Sequence, residues 1–337
     1  MSRQIAKSVT RSITKGPREA AWKIEPQRGH PTGAADRGVE PERSRLFLTM
    51  VQSAQAGNGG AGERDASENQ PGPTSAGGSG GVAIVAVSVG NSRIKFASFN
   101  DLEMLDDGAA KNSELGEAAG LIAGLLSRTA GGEIVLASVN PAIADILETM
   151  LVERTGGSIY RMGRDLGFPI KHALDDDSTL GQDRLLNAIA AFELARQACI
   201  VIDCGTAMTI DFVDGEGTFQ GGAIVPGARM MLRAMHEQTA ALPMLELKTP
   251  EAGRGAFGKD TAHAMTLGVI AAARGAVYHL VDTYAEAYGG YPRVIATGGD
   301  ARLLFENDEI VEHVVPDLQL RGIAVCAKAA LTEEAED

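Results

Sequence analysis

From residue 82 onward the chain alternates between two hydrophobic periods. Residues 82–99 read as an apolar strand, a Gly-Asn-Ser turn and a second strand of alternating character, the signature of a hairpin. The pattern then predicts a helix over 115–127, a strand at 133–139, a helix at 142–154 and a strand near 158–162, with a loop over 163–180. In 179–196, Leu185, Leu186, Ile189, Phe192 and Ala195 recur three and four apart, giving an amphipathic helix with Asp183 near its N-terminus. A β-branched strand at 199–203, a tight turn at Gly205 and a strand at 208–213 make a second hairpin. A third strand is expected at 218–225, helices at 228–241 and 261–288, a strand at 293–297, and helices at 301–305 and 321–331. Such alternation implies mixed sheets covered by helices, an α/β fold.

The two hairpins match each other. Ser88-Val-Gly-Asn aligns with Asp203-Cys-Gly-Thr, which suggests a duplicated α/β domain with a nucleotide between the copies. A turn of the Asp-x-Gly-Thr type surrounds a phosphate with backbone N–H groups and a hydroxyl, and sets a carboxylate beside it for a cation. The expected units are 82–197 and 198–337.

Composition narrows the partners. The 337 residues are 44% hydrophobic and 22% charged, with a formal charge of −13, which argues against a nucleic-acid surface. An acidic protein must neutralise a bound nucleotide locally, with amides, a few Lys or Arg, and metal ions. Cys199, Cys204 and Cys326 have no CxxC spacing, so neither a disulfide framework nor a zinc site is expected. No apolar run approaches the ~20 residues of a membrane span, and no secretory segment is evident. A cytoplasmic location, without membrane partners, is the expectation.

Residues 1–45 are a different material, with ten Lys or Arg against five Asp or Glu, and residues 53–81 hold nine glycines. Residues 1–81 are expected to form a disordered, low-complexity extension or to be a start-site artefact with Met50 as an alternative start; a basic targeting arm is the lesser reading. Gly57-Asn-Gly-Gly-Ala-Gly62 satisfies GxGxxG without a flanking strand or helix, and no Walker A sequence occurs.

Bland readings compete at each candidate. A lone Asp183 would be a helix-capping acid, and Lys95 contacts phosphate or occupies the solvent face of its strand. The Asp175-Asp176-Asp177 run reads as a solvated loop, since consecutive side chains do not converge on one ion. Met230, Met231 and Met235 read as core, and His236, His263 and His279 lack metal-ligand spacing. Asp203 is more telling, because an acid at the end of an apolar strand needs partners or a cation.

Taken together, the motifs resemble type III pantothenate kinase. They are Gly-Asn-Ser-Arg-Ile-Lys at 90–95, Gly-x-Asp-Arg at 181–184, Asp-x-Gly-Thr-Ala-x-Thr-x-Asp at 203–211, Gly-Gly-x-Ile-x-Pro-Gly at 221–227, Thr-Ala-x-Leu-Pro at 239–243 and Thr-Gly-Gly-Asp at 297–300. They span roughly 82–330. The resemblance implies duplicated actin-like (ribonuclease H-like) domains and a homodimer. It also implies phosphoryl transfer from ATP to the primary hydroxyl of pantothenate, the first step towards coenzyme A, with Mg2+ on the nucleotide and a monovalent cation, K+ or NH4+. By the same resemblance Asp183 is the catalytic carboxylate, and Gly181, Gln182, Arg184 and Thr261 join it at the pantothenate site. Ser88, Val89, Gly90, Asn91, Ser92, Arg93, Ile94, Lys95 and Thr206 fall to the nucleotide, and Asp203 to the monovalent cation.

Two positions depart from the family pattern. Ser88 stands where the first hairpin normally carries the aspartate that helps hold Mg2+, and a neutral hydroxyl is a much poorer ligand for a hard divalent ion. Leu174 stands where members often place a tyrosine that contacts pantothenate. The alternatives are therefore a catalytically weakened or silent nucleotide-binding regulatory relative, and a kinase or phosphatase of the same superfold with another small substrate.

Overall fold

The structure, a computed structural model, describes residues 82–251 and 253–334. The expected extension at 1–81 lies outside the described residues.

Eleven strands form two sheets. The first has the order β3-β2-β1-β4-β5, from β1 (Ala83–Val89), β2 (Arg93–Asn100), β3 (Glu103–Lys111), β4 (Glu133–Ser138) and β5 (Ile159–Arg161). In the second, β7 (Cys199–Cys204), β8 (Ala207–Val213), β9 (Thr218–Pro226), β10 (Arg293–Thr297) and β11 (His313–Val314) repeat that order as β9-β8-β7-β10-β11, with β6 (Lys171–His172) added beside β9. The pairing directions repeat too. β1–β2–β3 and β7–β8–β9 are antiparallel meanders, while β1–β4–β5 and β7–β10–β11 run parallel. The duplication suggested by two short turns therefore extends through five strands of each half, as the actin-like fold requires.

Helices cover both sheets. α1 (Leu115–Arg128) and α2 (Pro141–Thr155) close the outer face of the first sheet, with Ile122, Leu125, Leu147 and Leu151 against Val85, Val87 and Ile94. α4 (Ala228–Glu237), α5 (Thr261–Tyr288) and α6 (Ala301–Phe305) lie on the second half's outer side, and Ala273, Val277 and Val281 of α5 meet Ile200, Ile202 and Ile210. Among the described residues α5 alone is long and apolar enough to cross a bilayer, but one of its faces is part of this core.

Two helices fill the centre. Leu186 and Ile189 of α3 (Gln182–Ala195) pack on the first sheet together with Ile323 and Ala324 of α7 (Leu318–Glu334). Leu185, Ala188 and Leu194 of α3 pack instead on Val201, Val213 and Phe219 of the second sheet. The two helices touch at Gly322, where a β-carbon would collide with the carbonyl oxygen of Leu186.

The expected elements recur except at five places; two of these are β11, a two-residue pairing that the pattern does not announce, and α7, which starts at Leu318 rather than 321. β3 was not anticipated, because Glu103-Met-Leu-Asp-Asp-Gly-Ala-Ala-Lys lacks alternation; it is a mostly exposed edge strand whose register shifts at Ser98/Phe99. α4 stops at Glu237 rather than 241, where the Thr239 hydroxyl takes the Met235 carbonyl and accepts from Leu242 N–H. The 163–180 loop contains β6, too short for any periodic signal. The three cysteines are free and buried.

Replacing Gly322 by Ala is expected to overpack the helix crossing by about 1–3 kcal/mol and lower Tm by about 5 °C. Thermal unfolding followed by circular dichroism measures this, and an unchanged Tm would mean that the crossing is not close.

Candidate active site

α3 begins at Gln182 without a side-chain cap, so its first turn presents free N–H groups. Asp183 sits in that turn and accepts a 2.9 Å hydrogen bond from Arg184 N–H. Burial raises its carboxyl above the usual carboxylate range, opposed by that N–H and by the Arg184 charge.

Asp203 lies near the end of β7, paired with Thr209 on one side and Thr297 on the other. Asn187, one turn beyond Asp183 on α3, donates Nδ2 to Asp203 Oδ2 at 2.9 Å, while its own Oδ1 is buried with no hydrogen-bond partner among the described residues. Burial pushes the Asp203 carboxyl up to about 6, and the neighbouring Asp183 charge raises it further, with Lys95 acting in the opposite direction. Asp183 and Lys95 thus both lie within electrostatic reach of Asp203. The three come from α3, the first hairpin and the second hairpin.

The first hairpin is tied to α7. Ser88 and Lys95 face each other across β1 and β2. The buried Ser88 hydroxyl donates to Gln319 Oε1 at 2.7 Å, and Lys95 Nζ pairs with Asp317 Oδ1 at 2.6 Å. At the turn Gly90 N–H donates to Arg93 O, and Asn112 Nδ2 donates to Gly90 O. Asn91, Ser92 and Arg93 are exposed, whereas the Val89 and Ile94 side chains belong to the core under α1. Those two positions offer a ligand only their backbone.

The other candidates divide. Thr206 is exposed at the tip of the second hairpin, and its carbonyl accepts from Gly227 N–H at 3.2 Å. The Gln182 side chain is used within the fold, donating to Met162 O and accepting from Ser138 N–H. Arg184 pairs with Asp211. Thr261 is the exposed first residue of α5, and no hydrogen bond joins it to the Asp183 group among the described residues. Leu174 packs over Gly221 of β9, beside Phe219.

Sequence reasoning missed Asn187, Gln319, Asp317 and the Arg229–Asp300 pair, whose Nε to Oδ1 distance is 2.9 Å. Asn187 carried a usable signal, four residues after Asp183 on the same helix face; Gln319 and Asp317 did not, because their partners are more than 200 residues away.

Oxygen donors suit a hard cation. Among the described residues no three His, Cys, Asp or Glu side chains form a metal cage. Yet Asp203 and the unpaired Asn187 Oδ1 stand together beside a second carboxylate, an arrangement short of positive charge.

Two duplicated sheets with facing hairpins and a carboxylate at a helix N-terminus define a kinase of the actin-like class. The family model described as type III pantothenate kinase matches residues 84–283. A type III pantothenate kinase of Dehalococcoides mccartyi strain CBDB1 is 33% identical over 248 residues, covering 71% of this chain and 93% of that protein. One of Rhodospirillum rubrum is 42% identical over 161 residues, 48% of this chain and 61% of that protein. Among solved structures, the ethanolamine utilization protein EutJ from Carboxydothermus hydrogenoformans aligns with a TM-score of 0.45 and 14% identity, over 83% of this chain and 99% of that one. The chain belongs to the type III pantothenate kinase family.

Because the Asp203 carboxyl titrates near 6 instead of 3.8, its neutral form is favoured in the fold below that pH, and its ionised form costs stability as pH rises through it. A cation at Asp203 competes with the proton. Its affinity is expected to fall about tenfold per pH unit below about 6. Titrating K+ by thermal shift at pH 5, 6 and 7 in wild type and Asp203→Asn checks this; a pH-independent affinity would remove Asp203 from the cation site.

Proposed function

We propose that this protein transfers the γ-phosphoryl group of ATP to the primary hydroxyl of pantothenate, giving 4′-phosphopantothenate, the first step towards coenzyme A. The observation that carries the reading is the convergence of Asp183, Asp203 and Lys95, in a chain of this family. Asp183 accepts the hydroxyl proton. Burial makes its carboxylate a stronger base than a solvated one, and the helix N-terminus holds it oriented. Since phosphoryl transfer makes few covalent demands on the protein, its main task is positioning.

Gly181, Gln182 and Arg184 shape the acceptor site from the start of α3, and Thr261 joins them from a second copy of the chain. The stretch Ser88 to Lys95 and Thr206 hold the nucleotide, through backbone amides and the Lys95 ammonium. Asp203 and Asn187 Oδ1 would hold the monovalent cation. A divalent ion bound with the nucleotide supplies charge neutralisation of its phosphates. With a serine at 88, this chain would hold that ion through few protein ligands, leaving most of its coordination to phosphate and water. The protein works as a cytoplasmic homodimer, each chain folding as an actin-like pair, 82–197 and 198–337.

One observation favours a second reading: the Ser88 hydroxyl, donating to Gln319, keeps only neutral lone pairs, so no charge at that position replaces the missing acid. A nucleotide-binding protein without turnover would follow from that. Family membership favours the kinase.

ADP release by the purified protein is expected to depend on pantothenate, and Asp183→Ala to lower kcat by about 10²–10⁴-fold. Ser88→Asp is expected to lower the Mg2+ concentration giving half-maximal rate. Equal ADP release with and without pantothenate would defeat the substrate assignment.

A further inference from the structure

We propose that Asp211 is a positioning residue that sets the Arg184 guanidinium for the acceptor substrate, and that Gly222 keeps room for it. The proposal rests on the placing of Arg184 at the acceptor site.

The strand pattern puts Asp211 where it can act. Along β8, Met208, Ile210 and Phe212 face the α5 side, while Val213 belongs to the cluster around α3. Asp211 shares the face of Val213, so a carboxylate sits among core residues directly under the first turn of α3. Only 2% of it is exposed. Arg184 reaches down to it, with Nε 3.1 and 3.2 Å from the two carboxylate oxygens and Nη2 2.5 Å from Oδ1. Thr209 lies two residues before Asp211 on the same strand face and helps to hold that carboxyl down against the effect of burial. Beneath the guanidinium lies the Phe219 ring, its centroid 5.5 Å from Cζ.

This leaves one edge of the fork. Nη1 makes no hydrogen bond among the described residues, and the side chain keeps 15% of its surface exposed. Asp211 and Phe219 therefore hold the guanidinium from below and behind. An arginine fixed beforehand spares the substrate the cost of ordering four torsions, and a lysine cannot be held this way because it has no second donor in plane.

Gly222 is what lets the carboxylate lie there. It is the cross-strand partner of Asp211, and a β-carbon on it would fall 2.5 Å from Asp211 Oδ1 and 2.7 Å from Asp211 Cα. The same β-carbon would fall 2.1 Å from the Ile210 carbonyl oxygen, so any side chain at 222 would displace β8 and the acid it carries. A buried ion pair of this kind adds little net stability over an apolar pair, so its use lies in orientation.

The test is steady-state kinetics on the full chain for Asp211→Asn, Arg184→Ala, Arg184→Lys and the double variant Arg184→Ala/Asp211→Asn. Asp211→Asn is expected to raise KM for pantothenate about tenfold or more, with kcat and KM for ATP within about threefold of wild type. In the Arg184→Ala background the same change should add nothing to KM, because Asp211 acts only through Arg184. It should also raise Tm there, by neutralising a buried acid that has lost its partner. Additive effects on KM, parallel changes for both substrates, or an unaltered KM in Asp211→Asn would overturn the proposal. If Asp211→Asn does not fold, Arg184→Lys decides: a wild-type KM overturns the proposal, and a rise matching Arg184→Ala supports it. An unchanged pantothenate KM in Arg184→Ala would instead remove Arg184 from the acceptor site, a separate failure.

Discussion

The structure depends on two helices that cross at Gly322 and Leu186. Each follows one half of the duplication in sequence and reaches into the other half in space. α3 comes after the first sheet, yet its Asn187 and Arg184 bond to Asp203 and Asp211 of the second. α7 comes after the second sheet, yet Gln319 and Asp317 bond to Ser88 and Lys95 of the first. With apolar faces toward both sheets, α3 cannot move relative to one without disturbing the other. The helix starts are thereby held against the hairpins they serve.

Charge is the second constraint. Asp183, Asp203 and Asp211 all lie in or beside the cleft, and burial raises each carboxyl. Arg184 is committed to Asp211, and Lys95 to Asp317. The site is thus short of positive charge even before an anionic nucleotide arrives, in a protein whose formal charge is −13. Bound cations would restore that balance. Asn187 Oδ1, buried without a partner, marks where one would complete the shell.

Most of the fold was legible because its signals are local. The apolar runs of β1 and β7, the alternation of β8 and the 3.6-residue spacing of α3 each declare themselves within a dozen residues. β3 did not, since an exposed edge strand with an Asp-Asp-Gly interior has no face to bury and so no pattern to show. The site was legible where motif and helix start coincide, at Asp183, and where an acid ended an apolar strand, at Asp203. Its supporting contacts were not. Ser88 with Gln319 and Lys95 with Asp317 join residues 231 and 222 apart, and only the folded chain brings them together. Asp211 is legible in the sequence only as the last residue of the 203–211 motif, because the strand register that sets it under Arg184 cannot be read from spacing.

The buried cysteines carry a consequence for redox behaviour. Cys204 follows Asp203 in the second hairpin and is buried there. Burial and the flanking Asp203 and Asp300 charges hold its thiol far above its ordinary value, while burial alone takes Cys199 and Cys326 up to about 12. Since only the thiolate reacts quickly, burial first, and the two neighbouring carboxylates second, keep this sulfur in its slow-reacting thiol form.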